Sequence, residues 1–137
     1  MRFEHAIEIG ATPARVWEIY SDVERWHEWT DSITSVELLD GPLRVGARAR
    51  VRQPKLPVAV WSVTEYDEGR SFTWVSGAPG LRTTGTHLVE PSGDGARATA
   101  RLDQEGLFGG LVGRLSKGLT ERYLAMEAAG LKARSEA

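Results

Sequence analysis

Leu81-Arg82-Thr83-Thr84-Gly85-Thr86-His87-Leu88-Val89-Glu90, Pro91-Ser92-Gly93-Asp94-Gly95 and Ala96-Arg97-Ala98-Thr99-Ala100-Arg101-Leu102-Asp103-Gln104-Glu105 run consecutively, and together they spell a long β-hairpin. Side chains alternate across a strand, so Leu81, Thr83, Gly85, His87 and Val89 share one face, and Arg82, Thr84, Thr86, Leu88 and Glu90 the other. The second arm repeats the pattern, with Ala96, Ala98, Ala100, Leu102 and Gln104 opposite Arg97, Thr99, Arg101, Asp103 and Glu105. The charged faces belong in water, and the His87 face points inward. The central Pro-Ser-Gly-Asp-Gly stretch supplies the turn.

Downstream, Phe108 to about Lys132 reads as one long helix. Phe108, Leu111, Val112, Leu115, Leu119, Tyr123 and Met126 recur at helical spacing and mark its inward stripe, with Arg114, Lys117, Glu121 and Glu127 largely outside it. Gly109, Gly110, Gly113 and Gly118 are unusual here, each costing about 1 kcal/mol against Ala. Missing side chains also allow a helix to approach a sheet closely or leave room beside it.

Upstream, the period is that of strands. Phe72 and Trp74 alternate with Thr73 and Val75 before a Gly77-Ala78-Pro79-Gly80 turn; Ala59, Trp61 and Val63 alternate with Val60, Ser62 and Thr64. Ala47, Ala49 and Val51 alternate with Arg48, Arg50 and Arg52, and Val36 and Leu38 flank Glu37. Arg2 to Ile9 opens the chain as a half-buried strand. Between it and the hairpins lie two short helices: one capped by Thr12 with Pro13 at its first position, and a second after Ser21-Asp22 that puts Trp26 and Trp29 on one side.

The 137 residues fit one domain, 1–137, of ordinary globular composition, with 41% hydrophobic and 26% charged residues. No cysteine is present, which excludes thiolate chemistry and disulfide scaffolding. A net charge of -2 gives no global attraction to nucleic acid or anionic membranes. Arg48, Arg50 and Arg52 form a cationic stripe without interleaved aromatics, and read as a solvated strand face. No apolar run is long enough to span a bilayer, and Met1 leads into a charged strand, not a signal-peptide core; the expected location is cytoplasmic. The three histidines, His5, His27 and His87, lie on separate elements without ligand spacing, so neither metal nor cofactor is expected. Nucleotide-loop, GxSxG and inward carboxylate-pair signals are missing.

Short turns between successive strands imply antiparallel neighbours. The fold class is α+β: a strongly curved antiparallel sheet of about seven strands gripping one long C-terminal helix, with two short helices after the first strand. Such a sheet rarely closes tightly on its helix, and a cavity between them is expected. The local text agrees. Ile7-Glu8-Ile9-Gly10-Ala11-Thr12-Pro13-Ala14-Arg15-Val16-Trp17, Ser21-Asp22-Val23-Glu24-Arg25-Trp26-His27-Glu28-Trp29, Trp61-Ser62-Val63-Thr64-Glu65, Phe72-Thr73-Trp74 and Leu119-Thr120-Glu121-Arg122-Tyr123-Leu124 carry a resemblance over essentially the whole chain. The chain resembles the polyketide cyclase/dehydrase branch of the START-like (SRPBCC, birch-allergen-like) helix-grip superfamily. Relatives often have proline where this chain has His27. The resemblance is specific for fold; the superfamily hosts lipid carriers, receptors, cyclases and co-chaperones on one scaffold.

The inward faces nominate the cavity lining: Val36, Leu38, Val51, Trp61, Val63, Phe72, Trp74, Thr83 and His87 from the strands, and Leu111, Leu115, Leu119 and Tyr123 from the helix. The resemblance adds Trp26 and Trp29, since the short helices then wall the cavity mouth. Mostly apolar and aromatic with a few polar atoms, this set suits a small hydrophobic or aromatic ligand such as a lipid, quinone or polyketide-like compound. Small inward residues such as Ala49, Gly85, Ala98 and Ala100 argue for space; a filled core is the alternative. His87 reads either as a hydrogen-bonded structural histidine or as a group that orients a ligand or acts as acid/base. An aromatase/cyclase or dehydratase using His87 is the second functional reading, and a protein-interaction module of the co-chaperone or ribosome-associated type is the third. The expected partner is a small hydrophobic molecule, with no nucleic acid, no stable membrane insertion, and a monomeric or homodimeric state.

Overall fold

The computed structural model describes residues 1–137. Its elements follow the chain as β1 (Arg2–Ile9), α1 (Pro13–Tyr20), a 3₁₀ helix (Val23–Glu28), β2 (Ser35–Leu38), β3 (Arg48–Arg52), β4 (Ala59–Asp67), β5 (Ser71–Ala78), β6 (Leu81–Ser92), β7 (Gly95–Glu105) and α2 (Gly109–Glu136). The seven strands form one antiparallel sheet in the order β1-β7-β6-β5-β4-β3-β2. The first strand pairs with the last, so the sheet curls but does not close.

Local chemistry explains the elements. The Thr12 hydroxyl accepts from the Arg15 N–H at 3.2 Å, and Pro13 opens α1 where its missing N–H leaves nothing unpaired. On the convex face, Glu4 lies opposite Arg101 and Glu8 opposite Arg97 in register, and both pairs are joined by ion pairs, at 2.7 Å and 2.6 Å. Such exposed pairs add little stability, but they keep this face wet and fix which side of each strand turns inward.

The concave side is covered unevenly. At one end α1, the 3₁₀ helix and the C-terminal half of α2 bury Val16, Trp17, Tyr20, Trp26, Phe72, Val89 and Leu131, each at most 6% exposed. There α2 rests close to the 3₁₀ segment: a Cβ on Gly130 would collide with the Trp29 carbonyl oxygen. At the other end the first half of α2 stands against β6 and β7 through Gly109 and Gly113. A Cβ on Gly109 would meet the Gln104 carbonyl at 2.7 Å, and one on Gly113 would lie 3.1 Å from Gln104 Oε1.

This contact corrects the helical stripe. Leu111 and Leu115 are 57% and 80% exposed; the face turned to the sheet runs through Gly109, Val112, Gly113, Ser116, Thr120, Tyr123, Leu124, Glu127 and Leu131. Glycines permit the nearest approach of the helix backbone, so the small-residue face packs and the leucines are rotated outward. Leu107 and Phe108 are exposed beside them.

Candidate ligand-binding cavity

Uneven cover leaves a cavity of about 550 Å³ between the sheet and the first half of α2, within the usual range for small-molecule sites. Trp26 forms its inner end, Trp61 and Trp74 its aromatic wall, and Val51, Thr83 and Ala100 further parts of the sheet side. Leu119 and Tyr123 contribute from α2, and Leu56 and Val58, both exposed, from the loop that links β3 to β4. The Tyr123 hydroxyl donates to the Pro54 carbonyl, tying that loop to α2. Gly85 faces Trp74 across the β5–β6 ladder; a Cβ there would sit 3.0 Å from Trp74 Nε1, so its absence makes space for the indole.

His87 lies on the inward face of β6, 6% exposed, between Phe72 and Ala100 in register. Its ring stacks on Phe72 with centroids 4.2 Å apart, and Tyr20, Trp26 and Trp74 surround it at 5.2–5.4 Å. Nδ1 lies 3.2 Å from the Phe72 carbonyl, so the neutral ring carries its proton there and presents Nε2 as an acceptor without a protein partner. Burial pushes the His87 pKa down to about 4, only partly offset by the Phe72 carbonyl, so the ring is neutral near pH 7.

Glu127 is the acidic cavity residue that sequence reading missed. It lies on the helix face that carries Thr120, Tyr123 and Leu131, and the Tyr20 hydroxyl donates to its Oε1 at 3.2 Å. Desolvation raises this carboxyl to about 7, with the Tyr20 hydrogen bond acting in the opposite direction. Burial also pushes the Tyr20 phenol well above its ordinary value, and Glu127 adds to the effect. Glycine at 109 and 113 was the available signal: once those positions are read as the contact face, helical spacing carries the same face on to Glu127.

Of the nominated residues, Trp26, Val51, Trp61, Trp74, Thr83, His87, Leu119 and Tyr123 meet at the cavity. Phe72 and Val63 are buried in the core, Phe72 reaching the site only through its stack on His87. Val36 belongs to the same core, and Leu38 packs against it beside the 3₁₀ helix. Trp29 is absent from the cavity lining; it borders a small polar cleft with Arg15, Arg25 and Arg134, and Gly130 of α2 lies close against its backbone carbonyl. Leu111 and Leu115 face outward for the reason given above. No group of three or more His, Asp or Glu side chains gathers as a metal site, and no helix is long and apolar enough to cross a membrane.

The family described as polyketide cyclase / dehydrase and lipid transport matches residues 1–136. The chain belongs to that family. Solved structures similar to it share the helix-grip arrangement of sheet and long helix seen here. TTHA0849 from Thermus thermophilus is 23% identical, with a TM-score of 0.77 over 98% of this chain and 97% of that one. The ZhuI aromatase/cyclase from Streptomyces sp. R1128 is 15% identical, with a TM-score of 0.77 over 99% and 93%. A START superfamily protein from Mycobacterium smegmatis is 20% identical, with a TM-score of 0.74 over 98% and 97%. At these identities the likeness establishes a common fold. No curated protein matches the chain. Family membership supports ligand binding or polyketide cyclisation as the class of function.

Proposed function

We propose that this protein binds a small apolar or aromatic molecule, lipid, quinone or polyketide-like, in the cavity between the sheet and α2. The observation that carries the reading is the cavity of about 550 Å³, walled by Trp26, Trp61 and Trp74 and lined also by one neutral imidazole whose Nε2 has no protein partner. Desolvation of the ligand's apolar surface supplies the affinity, at about 25 cal/mol per Å² before the entropic costs of association. His87, Thr83 and Tyr123 orient it. Indole quenching and thermal shift against a library of hydrophobic compounds test this directly. Ala100→Phe narrows the cavity and is expected to weaken every hit by at least about tenfold, the equivalent of about 1.4 kcal/mol. Undiminished binding to that folded variant overturns the reading.

A second reading, an aromatase/cyclase or dehydratase, is favoured by one specific feature. His87 is held neutral above about pH 4 with Nε2 available, the state a general base needs near neutrality. Glu127, raised to about 7, is a carboxyl able to donate or accept a proton in the same space. Turnover of a poly-β-keto thioester that survives in His87→Ala excludes His87 from the chemistry.

A further inference from the structure

We propose that Glu127 makes the cavity reject anions, so that its ligand is an apolar molecule whose polar end is a hydroxyl or amine, not a carboxylate or phosphate. The inference rests on the cavity reading and adds the chemical class of the ligand.

The two titratable side chains inside, His87 and Glu127, each leave an acceptor over, beside the Thr83 hydroxyl, which can donate or accept. His87 gives its only ring proton to the Phe72 carbonyl and keeps Nε2 free. Glu127 uses Oε1 for the Tyr20 hydroxyl and leaves Oε2 unpaired. A ligand hydroxyl or amine can complete His87 Nε2 or, when Glu127 is ionised, its Oε2; a carboxylate can complete neither.

Charge points the same way. Tyr20 from α1 is bonded to Glu127, and His87 from β6 and Tyr123 from α2 line the same cavity; none of them supplies a positive charge when His87 is neutral. Arg101 is the only basic residue along the cavity, and its guanidinium is bound to Glu4 on the convex face at 2.7 Å. An anionic ligand would therefore enter without a counter-ion beside a second acid. One of the two carboxyls would have to take up a proton, which becomes harder as pH rises. The aromatic walls accommodate an ammonium or a neutral ring equally well.

Naphthalene, naphthalenemethanol, naphthylmethylamine and naphthoate share one apolar body and differ in the polar end. Their dissociation constants, read by tryptophan quenching at about pH 8, where free carboxyls are ionised, test the proposal. The alcohol and the amine are expected to bind at least about tenfold more tightly than naphthoate, a difference of about 1.4 kcal/mol. Glu127→Gln, which retains an acceptor for Tyr20, is expected to bring naphthoate to within a few-fold of the alcohol. Naphthoate binding as tightly as the alcohol to the unmodified protein overturns the proposal without any variant, and so does full discrimination persisting in folded Glu127→Gln. Failure of all four compounds, naphthalene included, overturns the cavity reading itself and this inference with it.

Discussion

The two halves of α2 lie along the same concave sheet, yet one completes a core and the other roofs a hollow. The C-terminal half sets Ala128, Leu131 and Ser135 into neighbouring elements and runs close to Trp29. The N-terminal half offers the sheet Gly109, Val112, Gly113, Ser116 and Thr120, and turns Leu111 and Leu115 to solvent. Backbone that approaches closely without side chains touches the sheet at its edge and fills nothing beyond. The hollow is thus a product of composition on one helix face, and α1 with the 3₁₀ helix fills only the other end. Stability and ligand space are separated along a single element.

The largest effects should therefore come from the filled end. Phe72 is fully buried beneath Trp17, Tyr20, Trp26 and Trp74. Phe72→Ala is expected to cost about 3–5 kcal/mol in urea unfolding. Gly130→Ala should also destabilise, because the atom its new Cβ strikes, the Trp29 carbonyl oxygen, belongs to backbone and cannot swing aside. Leu119→Ala, at the hollow end, should cost under about 1.5 kcal/mol, since its neighbours already border open space. Equal losses for Phe72→Ala and Leu119→Ala would erase the distinction between the halves.

The same distinction decides what was legible in the sequence. Strand alternation is a local property with a period of two, so the inward sides of β4, β5, β6 and β7 were readable, and Trp61, Trp74, Thr83, His87 and Gln104 from those sides lie along the cavity. Thr12-Pro13 located α1 by the same kind of local chemistry. The face of α2 was not readable from hydrophobicity, because glycine at the contact gives no apolar signal while Leu111 and Leu115 give a false one. Glu127 was lost with that rotation, and the surroundings of Trp29 were not readable because they include Gly130, on a helix at the far end of the chain.

Two enclosed groups at the boundary between the halves titrate in opposite senses. His87 falls from its ordinary 6.5 to about 4 on folding. Between those values the unfolded chain binds a proton that the folded chain refuses, so this contribution is complete above about pH 6.5 and is lost as pH falls toward 4. Glu127 rises from 4.5 to about 7. Here the folded chain holds the extra proton, so stability is greatest below about 4.5 and is lost as pH rises through 7. Each contributes about 3 kcal/mol across its own window, and the two largely cancel where the windows overlap. Unfolding free energies measured across pH should show His87→Asn uncovering the Glu127 decline as pH rises from about 4.5 to 7, and Glu127→Gln uncovering the His87 decline as pH falls from about 6.5 to 4. Parallel curves for the two variants would mean that neither group is enclosed as described.

The smallest effect has the opposite sign from the rest. Gly118 lies in the N-terminal half of α2, and a Cβ placed there meets nothing within 4 Å. Gly118→Ala removes a flexible residue from a helix interior with no clash to offset it, and is expected to stabilise by about 0.5–1 kcal/mol. The same substitution further along the helix, at Gly130, strikes backbone. One helix thus answers one chemical change in two ways according to whether its neighbour is protein or open space. A raised unfolding midpoint for Gly118→Ala, with ligand affinity unchanged, would show that this glycine serves neither packing nor the cavity. Reduced stability would instead show that the first half of α2 is held against the sheet more tightly than a hollow of this size permits.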